Sequence, residues 1–300
     1  MTLLRRTLTL ILALALGVSA CSGGSGAEIA SVGDTTITEG DLADLYEDDI
    51  DALPIDSSLR STIFGLIAKA ILIDAIRVDF GVEVDQAEVD GVEQAMLDQM
   101  NANGLTPAEY VQIPDAGPEM IRHSAEISVV REAAQRALAS VPAVIDQILA
   151  DATAITTVCA FHILVNTEEE ATAALERVQG GEDFAAVAGE VSIDSAPGGD
   201  LGCRLANAYV EPFALATVEA PLLEPTGPVP TQFGYHVIQV NERTTADEEA
   251  VRANPQDYLS RSEIDELWTA WLTETLQDAE VELDPRYGEW TAFGILPPSE

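Results

Sequence analysis

Apolar positions along the chain recur with two periods, and the change from one to the other divides it. From Ile29 to Ile37, alternation broken at Gly33-Asp34 predicts a short hairpin. Thr38 then caps a helix starting near Glu39, with Asp41 placed to help its open amides. Between Leu59 and Phe80, Ile63, Leu66, Ile67, Ala70 and Ile71 follow the helical period, and Asp74 is one polar break on that face. Asp85, with Glu88 three residues on, reads as a capping-box pair opening a third helix that ends near Asn103-Gly104. Thr106-Pro107 begins a fourth. Pro118 to Leu138 forms a longer one that turns Ile121, Ile127, Val130 and Ala134 to a core.

From Thr156 strands and helices mix. Val158 to Val165 is strand-like, and Thr167-Glu168-Glu169-Glu170 caps a helix with Ala171, Ala174, Leu175 and Val178 on one face. Gly180-Gly181 ends it, and Asp183 caps a short helix carrying Phe184, Val187, Ala188 and Val191. The Gly-rich loop Pro197 to Gly202 comes next. A helix near Glu211 to Ala220 and Pro-rich coil then lead to Val229-Pro230-Thr231. Gln232-Phe233-Gly234 turns into the strand Tyr235 to Val240. This mixture without regular βαβ alternation predicts an α+β fold. An acidic linker follows Arg243, then a last helix near Arg261 to Ala279 and a tail whose Tyr287 and Trp290 are set to dock.

Charge narrows the function classes. The 300 residues hold 52 Asp and Glu against 14 Lys and Arg, a formal charge of −38. Nucleic acid is excluded as a partner, because phosphate recognition needs a clustered basic surface. A hydrophobic content of 47% with recurring period excludes disorder throughout. The length suggests about two domains.

The first residues predict export. Arg5 and Arg6 precede an apolar run from Leu8 to Leu16 that is too short to span a bilayer. Val18-Ser19-Ala20-Cys21 resembles the bacterial lipoprotein signal, in which the Cys is lipidated; an ordinary cleavable signal with an incidental Cys21 is the other reading. Residues 1–20 are thus expected to be a signal peptide and 21–28 a flexible tether. Removal of the signal leaves 52 acids against 12 bases, or −40. The expected location is extracytoplasmic, anchored to the cell membrane through lipid on Cys21.

Catalytic side chains are scarce. Lys69 is the one Lys, and any imidazole chemistry must use His123, His162 or His236. Alternation puts His162 in a row with Ala160 and Leu164, and His236 in a row with Ile238 and Val240. Such histidines are either core residues satisfied by hydrogen bonds or part of a site. Two His and a carboxylate from so acidic a chain are a weak metal signal, and no metal or cofactor is expected. Ser192 and Ser195 lack a nucleophile-elbow context. His123 and Lys69 have no partner constellation and read as structural or surface residues.

Several spaced motifs agree in order on one family. Phe161-His162-Ile163-Leu164-Val165, Asp183-Phe184-Ala185 and Val191-Ser192-Ile193-Asp194 resemble the parvulin family of peptidyl-prolyl isomerases. Gly198-Gly199-Asp200-Leu201-Gly202, Tyr209-Val210-Glu211-Pro212-Phe213 and Thr231-Gln232-Phe233-Gly234-Tyr235-His236-Val237-Ile238 continue it, over about residues 156–243. The layout is similar to the exported SurA-like and PrsA-like foldases. It implies a small antiparallel sheet with surrounding helices (153–245) inserted in a mainly helical chaperone module. That module comprises 29–152 and a C-terminal linker and helix, 246–300, packing back on it.

The resemblance also implies roles. His162, Asp194, Thr231 and His236 match the catalytic network. Leu201, Tyr209 and Phe213 match the apolar pocket for the proline ring, with Tyr209 where the family often has Met, and Phe233 matches a rim position. The activity implied is non-covalent prolyl isomerisation in a foldase for newly exported proteins; a holdase with a weak or idle domain is the alternative. Partners are unfolded proline-containing polypeptides and the membrane, with a homodimer left open. Asn166 to Glu170 is acidic where phosphate-directed parvulins are basic, which argues against phosphorylated substrates. With Cys21 lipidated, Cys159 and Cys203 form an even pair, which suggests a disulfide; two buried free thiols are the other reading.

Overall fold

The computed structural model describes residues 26–47 and 53–299; the expected signal peptide, Cys21 and the first part of the tether lie outside the described residues. Strands β1 (Glu28–Val32) and β2 (Thr35–Thr38) form the opening hairpin. The Thr38 hydroxyl accepts the Asp41 amide and the Asp41 carboxylate accepts the Thr38 amide at 2.8 Å, a reciprocal box that starts α1 (Glu39–Ala43). Helix α2 (Ser57–Phe80), capped by Asp56, buries Ile63, Leu66, Ile67, Ile71 and Ile76, while Asp74 turns to solvent and pairs with Arg77. Helix α3 (Gln86–Ala102) is capped by Asp85, but Glu88 does not close the box; it pairs with Arg136 at 3.1 Å.

After α4 (Pro107–Val111), helix α5 (Glu119–Ala139) buries Ile121, Val129, Val130 and Ala134. Ile127, expected inside, is 37% exposed; Val129 and Val130 take the inward side of that turn. Helices α6 (Pro142–Ala150) and α7 (Ala152–Ile155), absent from the sequence expectation, follow from Pro142 at a first helical position and Asp151 as a cap.

The second half begins with β3 (Thr156–Val165), α8 (Glu168–Gln179), α9 (Phe184–Val191) and β4 (Asp200–Leu205). It continues through α10 (Glu211–Glu219), β5 (Thr226–Thr231) and β6 (Gly234–Thr245). The four strands form an antiparallel sheet in the order β4-β3-β6-β5. The expected Gly-rich loop and Pro-rich coil are thus partly its two edge strands. An edge strand tolerates Pro228 and Pro230 because one side of its ladder is open. One face packs Ile163, Val165 and Val237 against α8 and α9. The other packs Val158, Ile238 and Val240 against α10. Thr156 pairs with Thr245, so the chain enters and leaves this unit at one point.

Beyond it lie α11 (Glu248–Ala253), α12 (Arg261–Asp278), β7 (Val281–Leu283) and the hairpin of β8 (Glu289–Thr291) with β9 (Gly294–Leu296). Strand β7 pairs antiparallel with β1, Val281 opposite Val32. Leu276, Tyr287 and Ile295 share one core with Ile29, Leu42, Ile63 and Met120. Trp290 stacks on Phe64 with centroids 5.1 Å apart, so the tail aromatics dock on the first helices. Among the described residues, no helix is long and apolar enough to cross a membrane.

Candidate functional site

The β3–β6 register decides the site. His236 stands opposite Leu164 and His162 opposite Ile238, so the two imidazoles are diagonal neighbours on the α10 face of the sheet. Both are 4% exposed. Their rings lie nearly parallel, with centroids 5.3 Å apart. The backbone beside them leaves room only for glycine: a Cβ on Gly199, at φ +75, would sit 2.2 Å from the His162 carbonyl oxygen. That close approach brings the 197–200 turn under the site.

Four side chains form one hydrogen-bonded line. Thr231 Oγ1 lies 2.8 Å from His236 Nε2, His236 Nδ1 lies 3.1 Å from His162 Nδ1, and His162 Nε2 lies 3.0 Å from Asp194 Oδ2. A carboxylate only accepts, so His162 Nε2 carries a proton and donates to Asp194. His162 Nδ1 therefore accepts from the His236 Nδ1–H, and His236 Nε2 accepts from the Thr231 hydroxyl. The direction of all three bonds follows from the one anion at the end. The Phe233 amide donates to Thr231 Oγ1 at 3.1 Å and completes the start of the line.

Burial holds both histidines below the usual imidazole range. His236 is pushed down to about 4, first by burial and then by the neighbouring His162, against the pull of Asp194. His162 is lowered by burial, which outweighs the opposing Asp194 carboxylate. Both rings are neutral at pH 7, as the line requires.

Asp194 is held from behind. The Ala196 amide donates to its Oδ1 at 3.0 Å, and Ser192 Oγ accepts the amides of Leu164 at 3.1 Å and Asp194 at 3.3 Å. The Ile193 amide donates to the Leu164 carbonyl at 2.8 Å, so the loop is tied to β3 and aims Asp194 at His162. Sequence reasoning weighed Ser192 only as a nucleophile and missed this part; a Ser two residues before the Asp is the local turn signal that could have found it.

The apolar residues collect on the same side. Phe213, 2% exposed, stands edge-on to His236 and His162 with centroids 5.1 and 5.8 Å away. Tyr209 packs on Phe213 at 4.8 Å, and Leu201 joins them in one cluster. The Tyr209 hydroxyl is buried and finds no hydrogen-bond partner among the described residues. Phe233 is 59% exposed at the β5–β6 turn. Cys159 and Cys203 face each other across β3 and β4 and are disulfide-bonded, with Cα atoms 3.9 Å apart. His123 and Lys69 sit elsewhere, on α5 and α2; Lys69 pairs with Glu126 at 2.5 Å. Among the described residues, no three His, Cys, Asp or Glu side chains converge as a metal ligand set.

Known proteins are similar to parts of the chain that include this site. Residues 145–244 match the family described as the PPIC-type PPIase domain. A Foldase protein PrsA of Clostridium tetani is 44% identical over 85 residues, which are 27% of this chain and 25% of that relative. A Chaperone SurA of Methylobacillus flagellatus is 33% identical over 129 residues, 41% of this chain and 30% of that relative. A crystal structure of the peptidylprolyl isomerase PrsA from Bacillus cereus aligns over 86% of this chain and 94% of its own, with 19% identity and a TM-score of 0.47. The chain spans 25% and 30% of the length of these two curated relatives.

Proposed function

From a PPIC-type parvulin domain at residues 145–244, we propose that the chain is a foldase that isomerises X-Pro bonds in unfolded, newly exported polypeptides. The observation that carries this reading is the Thr231–His236–His162–Asp194 line lying against the Leu201, Tyr209 and Phe213 cluster.

Isomerisation breaks no bond. Its barrier of about 20 kcal/mol is lost amide resonance, so catalysis means holding the twisted amide better than either planar form. The apolar cluster grips the proline ring while the acyl side turns, and the low-polarity wall favours the twisted amide, which has less charge separation than the planar one. Neutral His162 and His236 line the floor without placing a full charge under the ring. Their hydrogen-bond line gives that floor one fixed polarity and needs no nucleophile. Phe233 projects from the rim, where residues flanking the proline pass.

The remaining parts of the reading rest on the sequence. Residues 29–152 and 246–300 form the chaperone module around 153–245; the shared core of Ile29, Ile63, Leu276 and Ile295 supports it. A signal peptide at 1–20 and lipid on Cys21 place the protein on the outer side of the cell membrane. Mass spectrometry of the membrane fraction tests the anchor, and light scattering tests self-association into a homodimer.

A protease-free proline-peptide isomerisation assay beside suppression of aggregation of an unfolded client tests the activity. Turnover together with suppression is expected. Suppression without turnover would leave only a holdase, which the complete hydrogen-bond line argues against.

A further inference from the structure

Strand β4 carries one residue too many for its partner. Cys203 stands opposite Cys159 and Asp200 opposite Phe161, so three steps on β4 span two on β3. Gly202 takes up the excess, with a φ of +67 that glycine adopts without strain. In a regular strand, residues three apart point to opposite faces. Here the bulge turns Leu201 and Arg204 to the same one. Leu201 packs in the cluster of Tyr209 and Phe213, and Arg204 stands opposite Val158, a member of that cluster.

The Arg204 guanidinium lies over the Tyr209 ring, 5.4 Å from its centroid, and donates to the Leu201 carbonyl at 2.9 Å. Both contacts are to the pocket assigned to the proline ring. We propose that Arg204 determines specificity at this site and favours X-Pro bonds flanked by acidic residues. The inference rests on the isomerase reading and names a substrate class within it.

The charge of Arg204 is available. In a chain with 52 Asp and Glu against 14 Lys and Arg, cations are readily paired. Arg77, Arg122, Arg131 and Arg177 each meet a carboxylate. Arg204 is exposed, and its partners are a ring and a carbonyl; among the described residues it makes no ion pair. Asp200, the nearest acid in sequence, accepts the Gly202 amide at 2.8 Å. A guanidinium has five N–H donors, and one carbonyl leaves most of them for a carboxylate. The side chain is also held in place, because the Cys159–Cys203 disulfide ties the adjoining position of β4 to β3. The acidic cap Glu168-Glu169-Glu170 lies beyond the other end of β3. Val158 and Val165 are about 23 Å apart along an extended strand, so the two charges act on opposite ends of the site.

The test uses the full chain and three end-blocked, labelled tetrapeptides: Ala-Glu-Pro-Glu, Ala-Lys-Pro-Lys and Ala-Gln-Pro-Gln. Protease-free isomerisation reads turnover, and anisotropy reads binding of the same peptides. At ~0.15 M ionic strength, charges more than about 8 Å away are largely screened, so the local cation outweighs the net charge of the chain. The Glu peptide is expected to exceed the Lys peptide about tenfold in kcat/KM, with the Gln peptide between them. Arg204 meets the flanking residues and not the turning amide, so the difference is expected in KM with kcat nearly level. Arg204→Glu is expected to reverse the order, and Arg204→Gln to bring the two charged peptides within about twofold. Melting temperatures check that both variants fold. Equal kcat/KM and binding of the Glu and Lys peptides, or a ratio unmoved in both variants, overturns the proposal. Turnover of all three peptides at one rate refutes only this inference. A charge preference in binding without turnover of any peptide refutes only the catalytic reading.

Discussion

Removing Asp194 tests the catalytic role proposed for the hydrogen-bonded line at its one fixed end. In Asp194→Ala, the buried Nε2–H of His162 loses the acceptor 3.0 Å away, and nothing then selects which His162 nitrogen is protonated. A hydrogen bond to a charged partner contributes about 1.5–3 kcal/mol, a rate factor of roughly ten to a hundred if it is lost only from the transition state. The Asp194 side chain is 35% exposed, so water screens it and the low end applies: about tenfold in kcat/KM. Asp194→Asn separates acceptor from charge, since its amide oxygen can still take the His162 proton. Its loss is expected to be about threefold, roughly half the free energy of the Ala variant.

The pH profile adds a second readout. His236 titrates at about 4, and a proton on it puts N–H on both ring nitrogens and reverses the bond to Thr231. Activity is therefore expected to be level above about pH 5 and to fall toward 4. Asp194 raises both histidines against their burial, so both variants should move the acid limb to lower pH. The assay is protease-free isomerisation of a proline tetrapeptide between pH 4 and 8, with melting temperature as a fold check. Full activity in Asp194→Ala, or Asn as damaging as Ala, would refute the acceptor argument.

Three further outcomes follow. His123, held at about 4 by burial and by Lys69, is buried with its Nδ1 unpartnered among the described residues. Its folded value lies below the unfolded ~6.5, so its neutral form stabilises the fold fully above ~6.5. About 3 kcal/mol of that is lost as pH falls toward 4. His123→Leu should flatten the loss in urea titrations at pH 7 and 4.5; an unchanged difference between the two would count against it. Cys159 and Cys203 are 44 residues apart, so replacing both with Ser should lower stability by up to about 4 kcal/mol in the chain-entropy view. A denaturant midpoint unmoved by that change, or by reductant on the native protein, contradicts this. Tyr209→Met removes a buried hydroxyl without a partner and keeps an apolar pocket, so stability and kcat/KM should hold or rise. A tenfold loss of kcat/KM would give the hydroxyl a part in catalysis.

How far the sequence could be read depended on the range of each signal. Thr38, Thr106 and Thr167 cap the helices they were expected to cap, because a cap is settled within three residues. Alternation placed His162 and His236 on their strands, and the register then brought them together. Signals that depend on distant partners were not legible. Glu88 had a local partner in view but takes Arg136 from another helix. Strands β4 and β5 are too rich in Gly and Pro to alternate, and pair because β3 and β6 offer edges. Helices α6 and α7 are too short to establish a period.

The pairing of Val32 with Val281 sets an order of assembly. A chain that emerges N-terminus first presents the β1–β2 hairpin long before its third strand exists. Among the described residues, strands β3 to β6 pair only with one another, so this lobe has all its sheet partners once Thr245 is out. The module, with its first and last strands so far apart in sequence, closes only after nearly the whole chain is available, which is the slower event. The sheet of residues 156–245 is thus complete before the sheet of β1, β2 and β7 can close around the ends of the chain.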